Sequence, residues 1–220
     1  LKSNEITGSA DGAFLATWED VSTHNNDAVA SPGNQPVYYN NALENINERA
    51  VVDFSGGNYF MEIPNADAFN TGGPYSKKTI VVAFRTGPDV TGRQVIYEQG
   101  GGTRGLNIYI DGGLLRMGIG NLANDDGGAT TPWGYEEIAA ATGPNETHYA
   151  LLEYDVDGGT VSGIIDGTIA GSFSGAGYLF AHSGNIGLGG MNNGSYFHDG
   201  SASGNGAYFG GKITEFLSFN

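Results

Sequence analysis

Asp-Gly-Gly occurs three times, at 111–113, 126–128 and 157–159, each copy between stretches rich in β-branched and aromatic residues. Asp-Gly pairs tolerate the left-handed dihedrals of a tight hairpin, so the repeated tripeptide predicts strands that double back on themselves. The flanking stretches are short. "KTIVVAFRT" (78–86), "LLRMGIGNL" (114–122), "THYALLEYDV" (147–156), "TVSGIIDG" (160–167) and "GTIAGSFS" (167–174) all read as strands. "VVDFSGGNYFMEI" (51–63) gives two more around Ser55-Gly56-Gly57, and "NIGLGGM" (185–191) and "AYFGGKITEFLSF" (207–219) complete the series. The near-continuous apolar run of 78–86 predicts a central strand covered on both faces. "NNALENINERA" (40–50) alone has helical composition. Many short strands, with no linker, charge block or clean repeat, predict one all-β domain over 1–220. The expected architecture is a two-sheet antiparallel β-sandwich of jelly-roll type.

Composition narrows the partners. Glycine supplies 38 of 220 residues, against a usual ~7%. These glycines are scattered among alternating apolar residues, which marks a turn-rich globular chain and not a disordered linker. Nine basic residues face 24 acidic ones, a net charge of −15. Such a surface repels nucleic acid and anionic membranes, and it suits cations and salt-exposed solubility. Cysteine is absent, so a disulfide-framed scaffold is excluded. No apolar run approaches the ~20 residues of a membrane span. The chain starts at Leu1 with no visible signal peptide, which we read as a mature chain or a piece cut from a longer protein.

The stretch "RQVIYEQGGGTRGLNIYIDGG" (93–113) places Glu98, Gln99, Arg104 and Asn107 around three consecutive glycines. Strand alternation puts Val95, Tyr97 and Gln99 on one face and Gln94, Ile96 and Glu98 on the other. In 106–110, Leu106, Ile108 and Ile110 face the core, leaving Asn107 and Tyr109 opposite. Gly100 to Gly102 lack the strand-to-helix context of a phosphate loop and read as a hairpin bend.

Several segments resemble the laminin-G-like branch of the concanavalin A-like lectin and glucanase fold. "VVDFSGGNYFMEIP" is similar to that family's early segment, and "KTIVVAFRTGPDVTGRQVIYEQGG" to its following strand pair. "ETHYALLEYDVDGGTVSGIIDGTI" and "YFGGKITEFLSFN" resemble its later segments, in family order from about residue 50 onward. "TWEDVSTHNND" also looks like the first strand of bacterial members, which are often modules of secreted adhesins or polysaccharide-degrading proteins. The resemblance implies a concanavalin A-like jelly roll; it does not imply one function, because the fold hosts lectins, adhesion modules and hydrolases. Laminin-G domains carry a calcium ligand just before the strand matching "GLNIYI"; here that place holds Thr103 and Arg104.

The candidate chemistry is polar and aromatic. "EYDVDG" (153–158) resembles the catalytic strand of laminarinase-type glucanases, yet Asp157 stands where they have glutamate and runs into Gly158-Gly159, so the segment reads as a strand leaving into a turn. Echoes of alginate lyases at "VIYEQ" (95–99) and "YFGGK" (208–212) lack the histidine and shift the lysine. The four histidines show no zinc spacing. "NLANDDGG" (121–128) gathers oxygen donors, and Asn124, Asp125 and Asp126 form a candidate calcium site, with solvated turns as the alternative. "DDGGATTPWGYEE" (125–137) reads as a long loop carrying Trp133 and Tyr135, in which Trp133 is a stacking platform or a plug for the sandwich end. His198 and Asp199 of "FHDG" (197–200) fall in a loop before the closing strand.

These features predict a non-catalytic module that binds carbohydrate or a cell-surface partner. The expected setting is a larger secreted or cell-surface bacterial protein, with calcium as candidate metal and no organic cofactor. The ligand-binding candidates are Glu98, Arg104, Asn107, Asp125, Trp133, Tyr135, Asn192, His198 and Asp199. Partners are a glycan or cell-surface polysaccharide and other domains of a parent chain, with no nucleic acid and no membrane insertion. A polysaccharide hydrolase or lyase, and a ligand-free structural spacer, are the alternatives.

Overall fold

Every second residue of Lys77–Arg85 is buried, namely Lys78, Ile80, Val82 and Phe84, while Thr79, Val81 and Ala83 between them are half-buried. This alternation is that of a strand with one face on the core and one toward solvent. The computed structural model, which describes residues 1–123 and 131–220, repeats it across two packed antiparallel sheets. Among the described residues each sheet has eight strands. The first runs β1 (Ala13–Phe14), β4 (Val37–Tyr39), β5 (Val51–Asp53), β18 (Lys212–Phe219), β7 (Lys77–Arg85), β12 (Thr147–Asp155), β13 (Thr160–Ile165) and β14 (Thr168–Phe173). The second runs β11 (Gly134–Ala141), β10 (Leu114–Asn121), β9 (Arg104–Asp111), β8 (Gln94–Gly100), β15 (Ile186–Leu188), β6 (Met61–Ile63), β3 (Ala28–Val29) and β2 (Thr17–Trp18). The expected β-sandwich is the observed fold.

Between the sheets, Val82 and Phe84 of the first join Ile108 and Met117 of the second in one continuous core. The Tyr97 ring of β8 stacks on Phe216 of β18 with centroids 4.8 Å apart. A second, smaller core of Val95, Tyr109, Met191 and Phe197 lies on the outer side of the second sheet. It is covered by a hairpin of β16 (Gly194–Phe197) and β17 (Gly200–Ser203), which turns at His198 and Asp199.

Several expectations are corrected. β7 is central, between β18 and β12, but it is not covered on both faces, because among the described residues no layer packs on the outer side of the first sheet. Residues 40–50 form turns, with Asn47 and Glu48 at φ of 49° and 65° and Ile46 bridging Arg49. Tyr135 belongs to strand β11, whose partner β10 supplies the hydrogen bonds that a loop would lack. His198 and Asp199 sit in the tight turn between β16 and β17. The alternation assigned to 93–99 breaks at a bulge: Val95 pairs with Tyr109 and Tyr97 with Ile108, so Ile96 is the extra residue. Ile96 and Tyr97 therefore both enter the core, and Glu98 turns outward, on the same side as Val95.

The joint of three glycines is a hairpin bend between β8 and β9. Gly100 and Gly105 face each other at φ of 115° and 135°, and a Cβ on either would run into the other strand's backbone. Gly105→Ala is therefore expected to lower stability by about 1–3 kcal/mol, measured by urea denaturation.

Candidate functional site

Rows of residues cross the outer face of the second sheet, and the sizes of their side chains shape a cleft. One row is Tyr135, Gly120, Gly105 and Gly100, in register over β11, β10, β9 and β8. The next is Glu137, Gly118, Asn107, Glu98 and Gly187 of β15. The glycines leave a floor without side chains, and Tyr135 uses the space: a Cβ on Gly118 would collide with its hydroxyl. The hairpin supplies the facing wall, with the Tyr196 ring 5.1 Å from that of Tyr135 at an angle of 57°. The cleft that these residues border holds about 10 Å³, room for one water-sized group. Gly101, Gly105, Asn107, Gly120, Tyr135 and Tyr196 are among the residues that line it.

Asn107 ties the sheet to the hairpin. Its Nδ2 donates to Ser195 Oγ at 3.1 Å and to the Tyr196 carbonyl at 2.7 Å. Two acceptors at the amide nitrogen orient the group, so the other end is the carbonyl oxygen. That oxygen, Oδ1, is buried, lies 2.6 Å from the position a Gly118 Cβ would take, and has no donor among the described residues. Its cross-strand neighbour Glu98 is fully buried. Glu98 Oε1 accepts from the Asn192 N–H at 3.0 Å and from the Gly187 N–H, while Oε2 has no donor. Burial raises this carboxyl well above the usual carboxylate range, outweighing the two N–H donors.

Glu137 begins the row that holds Asn107 and Glu98. Its Oε2 accepts from the Tyr109 hydroxyl at 2.8 Å and the Tyr135 hydroxyl at 3.3 Å, and its Oε1 pairs with Arg116 Nη1. Burial, with Glu137 beside them, pushes both phenols up, so both stay protonated and donate. At the hairpin tip, Arg93 bridges Asp111 Oδ2 at 2.6 Å and Asp199 Oδ2 at 2.9 Å, and its guanidinium lies 4.3 Å over the Phe197 ring. The hydrogen bond from Arg93 lowers the Asp199 carboxyl.

The sequence candidates divide around this geometry. Asn107, Arg104 and Tyr135 line the cleft, and Glu98 lies in the row beneath it. Asn192 holds Glu98 through its backbone and the Asn185 carbonyl through Nδ2 at 2.9 Å. His198 is exposed at the hairpin tip, with Nδ1 3.1 Å from the Tyr109 hydroxyl, and Asp199 is exposed beside it. Arg104 shares the inner side of β9 with Leu106 and Ile108, and its Nη1 donates to the Ala181 carbonyl at 3.1 Å. Trp133 is half-buried against the core, with Nε1 donating to the Tyr178 carbonyl at 3.2 Å. Asp125, with the calcium candidates Asn124 and Asp126, lies outside the described residues. Among the described residues no group of three or more histidine or acidic side chains could hold a metal. Asp155 accepts from the Gly158 N–H at 2.7 Å and pairs with Lys77 at 3.0 Å, as a turn-forming residue does.

Sequence reasoning missed Glu137, Ser195, Tyr196 and the floor glycines Gly118 and Gly120. One signal was present: Asp199-Gly200 is the same hairpin cue read elsewhere, and it would have placed Ser195 and Tyr196 on a strand.

No family model and no curated protein sequence matches the chain. Solved structures do share its fold. The Botulinum neurotoxin serotype D binding domain is 10% identical with a TM-score of 0.55, covering 94% of this chain and 47% of that one. The Botulinum neurotoxin DC binding domain in complex with SialylT is 12% identical with a TM-score of 0.54, over 93% of this chain and 46% of that one. A Botulinum neurotoxin type C structure, described by a dependence of cell entry on two ganglioside molecules, is 12% identical with a TM-score of 0.53, over 93% and 48%. The chain thus spans about half the length of these toxin domains. At this identity the likeness establishes the sandwich fold.

Glu98 yields a pH prediction. Between about pH 4.3 and its raised native value, the folded state keeps a proton that the unfolded state has lost. Its contribution is therefore complete below that window and falls as pH rises through it. Glu98→Gln, neutral at every pH, is expected to flatten this decline and to add about 1–3 kcal/mol at pH 8. Urea denaturation of both proteins at pH 4 and pH 8 measures it.

Proposed function

We propose that this chain is a non-catalytic carbohydrate-binding module of laminin-G-like type, belonging to a secreted or cell-surface protein. A sugar hydroxyl enters the cleft and donates to Asn107 Oδ1, while the sugar ring rests against Tyr196. The observation that carries this reading is the Asn107 carbonyl, buried, oriented and without a donor among the described residues, in a cleft that Tyr135 and Tyr196 also line. A buried acceptor with an open lone pair favours a hydroxyl donor, and aromatic rings bind the apolar face of a pyranose. The reading draws further support from a fold shared with toxin domains whose structures are described with SialylT and with gangliosides. A non-catalytic reading of 153–157 is supported by Asp155, which is engaged by Lys77 and the Gly158 amide.

A glycan array followed by calorimetry tests the proposal. Tyr196→Ala is expected to weaken the best ligand about tenfold, a loss of ~1.4 kcal/mol. Phe14→Ala, an exposed aromatic that does not line the cleft, leaves affinity unchanged. An array without any ligand would sink the reading. Calcium assistance is a further part of it, resting on the oxygen donors of Asn124, Asp125 and Asp126 in the sequence. Millimolar calcium is then expected to raise the melting temperature relative to chelator, since a ligand of the native state stabilises it; equal melts remove calcium from the proposal.

A further inference from the structure

We infer that the cleft selects neutral, hydroxyl-rich saccharides and rejects glycans that carry carboxylates. The inference rests on the carbohydrate-binding reading and deepens it by naming the ligand class. Arg104 also lines the cleft, but its guanidinium donates to the Ala181 carbonyl, and the other side chains at the cleft and its margin present acceptors, carry negative charge or turn their donors onto the protein. Asn107 presents a carbonyl oxygen, because its amide nitrogen is held by Ser195 Oγ and the Tyr196 carbonyl. Tyr135 and Tyr109 turn their hydroxyls onto Glu137. Asp199 stands exposed at the tip of the hairpin that forms the wall. A ligand for such a surface brings donors, and the hydroxyls of an uncharged sugar supply them.

The arginines of these strands are already engaged with the protein. Arg116 is paired with Glu137. Arg93 donates through Nε and Nη2 to Asp111 Oδ2 at 2.8 and 2.6 Å, and through Nη2 to Asp199 at 2.9 Å, while lying over Phe197. Arg104 alternates to the inner face of the sheet and donates to the Ala181 carbonyl. A sugar carboxylate would have to draw a guanidinium from its existing partner, leaving Glu137 or Asp199 uncompensated. The net charge of −15 repels an anionic ligand before contact. Selectivity is built here from groups that penalise the wrong ligand as much as from those that hold the right one.

The test pairs neutral with acidic sugars on the intact chain. Lactose, N-acetyllactosamine and laminarin oligosaccharides are titrated beside 3′-sialyllactose and alginate oligosaccharides, by calorimetry and chemical-shift perturbation. At least one neutral sugar is expected to bind about tenfold or more tighter than every acidic one. The gap is expected to narrow between about 20 mM and 500 mM salt, as screening shortens the reach of the charges. In Asp199→Asn, which removes one partner of Arg93, binding of 3′-sialyllactose is expected to rise at least about twofold. An acidic sugar binding as well as or better than the neutral ones overturns the inference and leaves the carbohydrate-binding reading standing. Failure of every sugar overturns both.

Discussion

One inserted residue decides which side chains of β8 see the core. Ile96 bulges out of the ladder between Val95 and Tyr97, so the strand changes face within a single step. Strict alternation would have sent Tyr97 and Gln99 to the outer face and buried Glu98 between the sheets. With the bulge, Tyr97 stacks on Phe216 inside, and Gln99 accepts the Tyr97 hydroxyl at 2.6 Å. Glu98 instead comes level with Asn107 under the outer hairpin. A bulge leaves an unpaired position in the ladder, and here it re-aims a carboxyl.

The outer hairpin depends on that arrangement. A two-stranded hairpin is at best marginal alone in water. This one is held by apolar contact of Phe197 with Val95 and Tyr109, by Asn107 reaching two of its polar groups, and by Arg93 laid across its aromatic base. The sheet beneath can approach closely because its floor is glycine. The same absence of Cβ atoms that admits the Tyr135 ring leaves the small cleft beside it.

The sequence made the architecture legible where a strand obeyed one simple rule. Leu106, Ile108 and Ile110 face the core as alternation requires, and Asp-Gly-Gly at 111–113 turns β9 into β10 with Gly112 and Gly113 at φ of 63° and 74°. Legibility failed at Ile96 because a bulge leaves no compositional mark and reverses the parity of everything after it. It failed at Tyr135 because a glycine- and proline-rich approach masked the edge strand that follows. It failed for the cleft as a whole because Glu137, Gly118 and Asn107 are brought into one row by strand register, which no local window contains. Asn107 and Tyr135 were still found, since polar and aromatic residues in a glycine-rich setting are where a sheet can open toward a ligand.

The placement of β18 bears on how such a chain is made. This strand, Lys212–Phe219, follows β5 and β7 by more than a hundred residues, yet it lies between them in the first sheet, where the Leu1 nitrogen also donates to the Phe216 carbonyl at 2.8 Å. A ribosome delivers residues in order, so β5 and β7 emerge long before the strand that joins them. Until then the inner side of β7, with Ile80, Val82 and Phe84, lacks the neighbour that carries Phe216. Vectorial synthesis therefore leaves a half-built sheet with two open edges. Such edges are templates for pairing with other chains until the strand that joins them arrives.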